Sequence, residues 1–199
     1  MGDVMRECYK RGWITTRDGN CSVCYAGKKT IYITPGGFRK TIIYPEHVER
    51  IKMNSENKLI LNEGQNPSGE LEMHYLLHRN YKKTRAVLHV HPTYINAAIY
   101  AGYDLQYLAS EFPEVYRYTK VGPSVEKLPA VSPELAIETA NCMEIDENGI
   151  CEWDIVGQSH HGCCAIGDDP WHAFEHIERL EHICQIVLNS GVRPSIMYK

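Results

Sequence analysis

Two histidines, His89 and His91, stand one residue apart at the end of an apolar segment of this 199-residue chain. The segment favours a strand, and side chains two positions apart on a strand point to the same face of a sheet. Imidazoles held side by side on a rigid element supply two ligands of a transition-metal site. This motif alone leaves open a second interpretation, in which a half-buried strand carries two polar side chains without binding a metal.

A catalytic metal site typically takes three ligands from the protein and leaves the other positions to substrate. His161 is a candidate for the third ligand, because Gly162 lets the backbone pass close to a ligand. The neighbouring His160 competes for the role, and sequence spacing alone does not choose between the two. His74 and His78 form a rival pair at helical spacing, although such pairs are more typical of surface or supporting positions.

Glu70 is an acidic side chain upstream of the histidines that could serve the same site. It lies in the first turn of a predicted helix over residues 69–80, with Ser68 as the predicted N-cap. The helix dipole alone favours a glutamate there, so a purely structural role is the alternative. Glu72, two positions later, is an equally available carboxylate by spacing.

Alternating helices and strands must position these residues. Residues 104–131 carry several aromatic side chains without a clear period, and we expect an irregular segment there. The interleaved pattern elsewhere predicts an α/β fold. Helices are predicted over 4–12, 69–80, 93–101, 133–142 and 170–190, and strands over 21–26, 30–34, 51–53, 59–62, 154–159 and 163–166, together with the segment that ends in the two histidines.

The composition excludes several classes of protein. Hydrophobic residues make up 43% and charged residues 23% of the chain, as in ordinary globular proteins. The formal net charge of −4 gives no basic field for nucleic acid, and no segment approaches the roughly 20 apolar residues of a membrane span. The N-terminus has no signal-peptide core, so we expect a cytoplasmic protein whose eight cysteines are reduced thiols. The length predicts one domain over 1–199.

Five short motifs occur in a recognisable order. They are Gly19-Asn20-Cys21-Ser22, Ile33-Thr34-Pro35-Gly36-Gly37, Pro67-Ser68-Gly69-Glu70 followed by His74, Val87-Leu88-His89-Val90-His91-Pro92, and His161-Gly162. In this order they resemble the class II aldolase/adducin family, which includes fuculose- and rhamnulose-phosphate aldolases and ribulose-phosphate 4-epimerases. The resemblance spans about residues 10–190. It implies a single α/β/α domain with a central, largely antiparallel sheet flanked by helices, assembled as a C4 homotetramer with sites at subunit interfaces.

The resemblance also assigns roles to residues. It implies that His89, His91 and His161 bind Zn²⁺, with Mn²⁺ or Co²⁺ as alternatives, and that Glu70 rather than Glu72 is the catalytic acid and base. The residues that it implies for substrate or phosphate binding are Gly19, Asn20, Gly36, Ser68 and Gly69. Backbone N–H groups in such loops can surround an anion.

The reaction implied by the resemblance is a retro-aldol cleavage through a metal-bound enediolate. The expected substrate is a ketose, with a sugar 1-phosphate favoured, and the products are dihydroxyacetone phosphate and an aldehyde. Epimerases, dehydratases and decarboxylases of sugar phosphates on the same scaffold are the alternatives. A non-enzymatic, adducin-like scaffolding module is a further alternative, which the three histidines and the acid disfavour.

The chain departs from the family pattern in the segments that would bind the substrate. Gly36 and Gly69 stand where sugar-phosphate aldolases tend to place hydroxyl-bearing residues that hold phosphate. The segment between Pro92 and Ser132 matches poorly, so the family's proton donor from a neighbouring subunit is not assigned. Candidates for that donor are Tyr116, Tyr118 and Glu111, and Tyr198 is too near the last helix to be equated with the family's C-terminal tyrosine.

Overall fold

An antiparallel sheet of seven strands forms the centre of the structure, a computed structural model that describes residues 1–83 and 85–192. The strands are β1 (Asn20–Cys24), β2 (Thr30–Ile33), β3 (Glu49–Met53), β4 (Leu59–Ile60), β5 (Arg85–Val90), β6 (Ile155–Gln158) and β7 (Gly162–Gly167). Their order across the sheet is β4-β3-β2-β1-β5-β7-β6, and every neighbouring pair is antiparallel. The predicted α/β fold with a largely antiparallel sheet is therefore confirmed.

Helices cover both faces of this sheet. They are α1 (Gly2–Lys10), α2 (Leu71–His78), α3 (Thr93–Tyr100), α4 (Leu105–Ser110), α5 (Pro113–Tyr118), α6 (Pro133–Cys142) and α7 (Pro170–Ser190). Side chains alternate between the faces along β5, so Leu88 packs in the core formed with α1, α3 and α7, whereas Val87 packs with α2 and α6. His89 follows Val87 by two positions and therefore faces α2.

The strand register brings two parts of the predicted site together. β5 lies between β1 and β7, where Asn20 stands opposite His89 on one side and Cys164 stands opposite His89 on the other. Ser22 lies two positions beyond Asn20 on β1 and thus on the same face. The face that carries His89 therefore also carries a row of polar side chains directed towards α2.

The prediction of an irregular segment over 104–131 was wrong, because α4 and α5 lie within it. Each helix has only six residues, which is too short for a clear helical period. Local signals do mark both starts: Asp104 accepts hydrogen bonds from the backbone N–H groups of Gln106 and Tyr107, and Pro113 opens α5.

The predicted start of the helix that carries Glu70 was also wrong. α2 begins at Leu71, so Glu70 occupies the N-cap position that was expected for Ser68. Ser68 instead closes a turn before the helix, in which its Oγ accepts from the Glu70 N–H at 3.3 Å and its carbonyl accepts from the Leu71 N–H at 3.0 Å. This turn holds Glu70 at the junction between loop and helix.

The predicted caps of the two later helices agree with the structure. Ser132 accepts from the Leu135 N–H at 3.1 Å, and Asp169 accepts from the first turn of α7. Gly191 ends α7 with a left-handed backbone (φ 70°). Among the described residues, we find no helix with the length and apolar character needed to cross a bilayer.

Candidate metal centre

Three histidines from two neighbouring strands converge at one end of the sheet. His89 lies on β5, His91 follows that strand directly, and His161 precedes β7. One ring nitrogen from each residue lies within 4.8 Å of the other two. The Nε2 atoms of His89 and His91 are 3.0 Å apart. The described residues thus include a set of three imidazoles spaced to bind one metal ion.

The hydrogen bonding of His89 turns its Nε2 lone pair towards this centre. His89 is fully buried, and its Nδ1–H donates to the carbonyl oxygen of Cys163 at 3.0 Å. Such a contact fixes the tautomer of a metal-binding imidazole and raises its basicity.

The other two imidazoles are held in the uncharged form that binds metals. Burial and the neighbouring histidines lower the pKa of His91 to about 3, and burial is also the main cause that lowers the pKa of His161. The Nε2 atoms of His89 and His91, 3.0 Å apart, can share a single proton as a hydrogen bond, and a metal ion can take the place of that proton. The donor set therefore fits a transition metal such as zinc.

The turn between β6 and β7 selects His161 rather than His160. His160 is exposed, has a left-handed backbone (φ 60°) and places its ring beside Tyr100. A Cβ added at Gly162 would lie 2.4 Å from the Val90 carbonyl oxygen and 2.7 Å from the His91 ring. Glycine is thus required where the turn passes the ligands, as the sequence indicated.

Glu70 lies beside the three histidines and presents its two carboxylate oxygens differently. Oε2 accepts from Asn20 Nδ2 at 2.7 Å and lies 3.2 Å from His89 Nε2. Oε1 is buried, has no hydrogen-bond partner among the described residues, and lies 3.8 Å from His161 Nε2. Glu72 is exposed on α2. Of the two carboxylates that the sequence offered, the structure brings Glu70 to the histidines.

The ionised form of Glu70 is favoured in this environment. Burial opposes ionisation, but positive charge at the position of His89 and the hydrogen bond from the Asn20 amide outweigh it and lower the pKa of the carboxyl. An ionised carboxylate with one free oxygen can accept a proton at that oxygen. A general base role is therefore chemically available to Oε1.

The rival pair His74 and His78 is buried but does not join the metal-binding trio. His74 Nε2 lies 2.5 Å from Asn20 Oδ1, and His74 Nδ1 lies 2.6 Å from Ser22 Oγ. His78 Nε2 lies 2.8 Å from the same hydroxyl. The two histidines thus lie behind Glu70 and reach it through Asn20, which agrees with the supporting positions that the sequence offered as the alternative to metal binding.

A signal for this arrangement exists in the sequence. Residues at i and i+2 on a strand, such as Asn20 and Ser22, are about 6.6 Å apart, and residues at i and i+4 on a helix are about 6 Å apart along its axis. The spacing of His74 and His78 on α2 therefore matches that of the two strand residues. The two spacings become related only when α2 is known to pack against β1, which the sequence alone does not show.

The loops predicted to bind substrate lie side by side next to Glu70. The Gly36 N–H donates to the Asn66 carbonyl at 2.9 Å, and the Ser68 N–H donates to the Thr34 carbonyl at 3.1 Å. A Cβ on Gly69 would lie 2.9 Å from the nearest methyl carbon of Val131. The glycines thus allow close packing of these loops, whose N–H groups at 36 and 68 are already engaged.

The third predicted loop is bent tightly against the metal-binding strand. Gly19 has a φ of 68°, and a Cβ there would lie 2.6 Å from the Ile14 side chain and 3.0 Å from the His89 carbonyl oxygen. Only glycine fits this position without rearrangement. Asn20, the next residue, reaches Glu70 as described above. Of the five residues predicted to bind substrate, Asn20 and Ser68 contact Glu70 and Gly69 precedes it, whereas Gly19 and Gly36 lie in adjoining segments.

Two cationic side chains approach the loop formed by residues 35–37. Lys40 is buried and donates from Nζ to the Pro35 carbonyl at 2.9 Å, although burial lowers the pKa of its amine. Arg17 donates to the Gly37 carbonyl at 2.9 Å. Their positive charge favours an anionic group near this loop.

The three candidates for a proton donor lie on or next to the short helices α4 and α5. Tyr116 is 75% exposed, and Tyr118 is 49% exposed and packs its ring against Arg179. Glu111 is also exposed. None of them contributes to the trio within this chain, whereas Tyr198 lies outside the described residues.

Comparison with known proteins gives a consistent picture. L-fuculose phosphate aldolase of Methanococcus vannielii is 26% identical over 178 residues, which cover 89% of this chain and 88% of that protein. 3-oxo-tetronate 4-phosphate decarboxylase of Pectobacterium atrosepticum is 25% identical over 186 residues, with coverage of 93% and 80%. The similar sequences therefore catalyse more than one reaction.

A solved structure and a family model complete the comparison. A sugar-phosphate aldolase from Thermotoga maritima superposes with a TM-score of 0.76 at 22% identity, covering 97% of this chain and 95% of that one. Residues 1–188 match the family model described as Class II Aldolase and Adducin N-terminal domain. Since this match extends over most of the chain, the protein belongs to the class II aldolase and adducin N-terminal domain family.

Proposed function

We propose that the protein is a metal-dependent aldehyde-lyase that cleaves a ketose 1-phosphate to dihydroxyacetone phosphate and an aldehyde. The observation that carries the proposal is the position of Glu70 Oε1, an unpaired and buried carboxylate oxygen 3.8 Å from His161 Nε2. A proton-transfer group beside a three-histidine centre is what the cleavage of a carbon–carbon bond next to a carbonyl requires.

His89, His91 and His161 would hold the metal, with zinc as the proposed ion. When bound, the metal acts as a Lewis acid on the substrate carbonyl and so favours the negative charge that bond cleavage leaves behind. Three protein ligands leave coordination positions open to substrate oxygens. This vacancy separates the proposed catalytic centre from a closed structural zinc site.

Glu70 would handle the proton that the cleavage requires. The hydroxyl group on the carbon that becomes the aldehyde would pass its proton to Oε1 of the ionised Glu70, directly or through the side chain that a second copy of the chain would supply. The adjacent carbon–carbon bond breaks, and the electron pair stays on the ketone fragment. Glu70 then returns the proton from Oε1 to the carbon of the ketone fragment that held the broken bond, so that no net proton is gained or lost. In the reverse direction Glu70 removes the same proton as a base.

The phosphate of the substrate would lie in the loops that contain Gly19, Gly36 and Gly69. Support comes from the positive charge of Arg17 and Lys40 beside residues 35–37. Gly36 and Gly69 offer no side-chain hydroxyl, so the proposed phosphate contacts depend on Ser68, Asn20 and the backbone.

The remaining proton donor would come from a second copy of the chain. We propose a C4 homotetramer in which Tyr116, Tyr118 or Glu111 reaches the site of a neighbouring subunit. Their solvent exposure in one chain is consistent with this arrangement. Analytical ultracentrifugation tests the assembly independently of the reaction.

The activity is tested with metal-free protein reconstituted with Zn²⁺, Mn²⁺ or Co²⁺ and incubated with ketose 1-phosphates and with free ketoses. We expect dihydroxyacetone phosphate and an aldehyde from at least one ketose 1-phosphate. Release of carbon dioxide from a 3-oxo acid phosphate, or loss of water from a ketose phosphate, without any cleavage to an aldehyde, would refute the aldolase proposal in favour of a decarboxylase or dehydratase.

A further inference from the structure

Four buried polar side chains are joined end to end behind Glu70. His78, Ser22, His74 and Asn20 are each at most 4% exposed, and consecutive members are 2.8, 2.6 and 2.5 Å apart at their polar atoms. Asn20 then donates to Glu70 Oε2 at 2.7 Å. The series crosses from α2 to β1 and back at each step. At the outer end, His78 Nδ1 has no partner among the described residues, so the roles of donor and acceptor along the series are set from the Glu70 end.

The donors and acceptors in this series match in one direction only. An ionised Glu70 accepts, so Asn20 must present its NH₂ group to Oε2 and its Oδ1 to His74. His74 must then donate from Nε2, which leaves Nδ1 of a neutral ring to accept from the Ser22 hydroxyl. With its own proton given to His74, Ser22 accepts from His78 Nε2–H.

Hydrogen bonds donated in the opposite direction, from Asn20 towards His78, would leave Glu70 without a donor. If His78 accepted from Ser22, then His74 would donate from Nδ1 and accept at Nε2, and Asn20 would have to turn its NH₂ group towards His74. Its Oδ1 would then face the carboxylate, so two acceptors would meet in a buried site. Burial also lowers the pKa of His74 to about 3, which agrees with a neutral ring.

We propose that His74, Ser22 and His78 are positioning residues that fix the orientation of Asn20 and, through it, of the Glu70 carboxylate. The chain of donors holds Oε2 and leaves Oε1, the oxygen with no partner among the described residues, as the atom that transfers the proton. The identity of the reaction rests on the proposed function, whereas the direction of the hydrogen bonds does not.

The direction is tested without any substrate. Zinc-loaded protein labelled with ¹⁵N at histidine is examined by two-bond ¹H–¹⁵N correlation spectra, with signals assigned by comparison with His74→Gln and His78→Gln. We expect His74 to carry its single proton on Nε2, and His78 likewise. A proton on Nδ1 of His74 would overturn the proposal, because Asn20 could not then direct its amide group to Glu70.

The positioning role is tested by two substitutions of one residue. His74→Leu removes the donor to Asn20, whereas His74→Gln keeps an N–H group at a similar distance from the backbone. We expect His74→Leu to lower kcat by about 10- to 100-fold with KM and zinc content unchanged, and His74→Gln to recover part of this loss. Equal kcat values in His74→Leu and wild type would overturn the role of His74.

The hydroxyl group of Ser22, which joins His74 to His78, has a matched control in the same protein. Thr119 Oγ1 lies 2.9 Å from His176 Nδ1, a buried hydroxyl–imidazole contact with no connection to Glu70. We expect Ser22→Ala to lower kcat and Thr119→Val to leave it unchanged. If both variants lose the same activity, the effect is structural and the proposal fails. If no form of the protein cleaves a ketose, the proposed function fails, while the NMR result still decides the hydrogen-bond direction.

Discussion

Two groups of histidines approach Glu70, and they differ in what lies between their ring nitrogens. His89 and His91 face each other at 3.0 Å with no intervening group. His74 and His78, in contrast, meet the opposite sides of one hydroxyl group, that of Ser22. In the first arrangement a cation can take the place of the proton between the two nitrogens, whereas in the second the Ser22 hydroxyl already occupies the space between the rings.

The comparison indicates that the neighbours of a buried histidine determine its function more than its burial does. His89 and His74 are equally inaccessible to water. His89 donates to a carbonyl oxygen from Nδ1 and turns Nε2 towards His91 and Glu70, while His74 has an amide oxygen and a hydroxyl as partners of its two nitrogens. These surroundings fit the metal-binding role that we propose for His89 and the supporting role that we propose for His74.

The largest effect is expected from loss of a metal ligand. His89→Ala removes one of three nitrogens, so we expect loss of bound zinc and a fall in activity of more than about 100-fold, beyond the range for residues that only support ligands. Metal content per chain, measured by mass spectrometry, and the rate of aldehyde release test this.

His160→Asn is the matched control for the ligand variant. His160 is exposed beside the trio, and asparagine tolerates its left-handed backbone. We expect zinc content and activity to remain at wild-type levels. Retention of zinc in His89→Ala together with its loss in His160→Asn would reverse the assignment of ligands.

Loss of the carboxylate should separate catalysis from metal binding. Glu70→Gln keeps the size of the side chain but removes the group that transfers the proton, so we expect turnover to fall by about 10²- to 10⁴-fold while zinc stays bound. The exposed Glu72→Gln serves as control and should retain full turnover. Zinc loss in Glu70→Gln would instead make Glu70 a fourth ligand rather than an acid and base.

The metal trio was easier to predict from sequence than the supporting pair. His89 and His91 stand two positions apart at the end of one strand, and the motif order supplied His161 through its resemblance to a family. The chain from Glu70 to His78 depends on the packing of α2 against β1, where residues more than 50 positions apart meet. Local periodicity carries no information about such contacts.

In the fold, too, features with a local sequence pattern were predicted, whereas features that depend on tertiary packing were missed. The strand that bears His89 was predicted because its apolar run is continuous, as expected for a strand buried on both faces. α4 and α5 were missed because each is under two helical turns long and is held by burial of a few side chains, such as Leu108 and Val115.

A smaller effect on zinc binding is expected from a substitution at Gly162, where the turn between β6 and β7 passes the three histidines. Gly162→Ala places a methyl group 2.4 Å from the Val90 carbonyl oxygen and 2.7 Å from the His91 ring. The backbone must shift, so we expect zinc affinity to fall by about 10- to 100-fold, as for residues that orient a ligand. Competition with a chelator measures this, and unchanged affinity would show that the His91 ring moves aside without cost.

His74, one of the two supporting histidines, should make the free energy of unfolding of the metal-free protein depend on pH. The pKa of His74 is about 3 when folded, below the ordinary value of 6.5 that we expect when unfolded. Between these values the unfolded chain binds the extra proton, so the free energy of unfolding is highest above pH 6.5 and falls as the pH is lowered. At pH 5 this single histidine lowers the free energy of unfolding by up to about 2 kcal/mol relative to its value above pH 6.5.

His74→Gln isolates that contribution, because glutamine does not titrate. Urea unfolding of both metal-free proteins at pH 7 and pH 5 should show a smaller loss on acidification in the variant than in wild type. Since His91 and the rest of the trio remain in both proteins, the difference belongs to the supporting pair alone. The same loss in both would mean that His74 takes up its proton without disturbing the contacts to Asn20 and Ser22, and the contrast between the two histidine groups would then lose its physical basis.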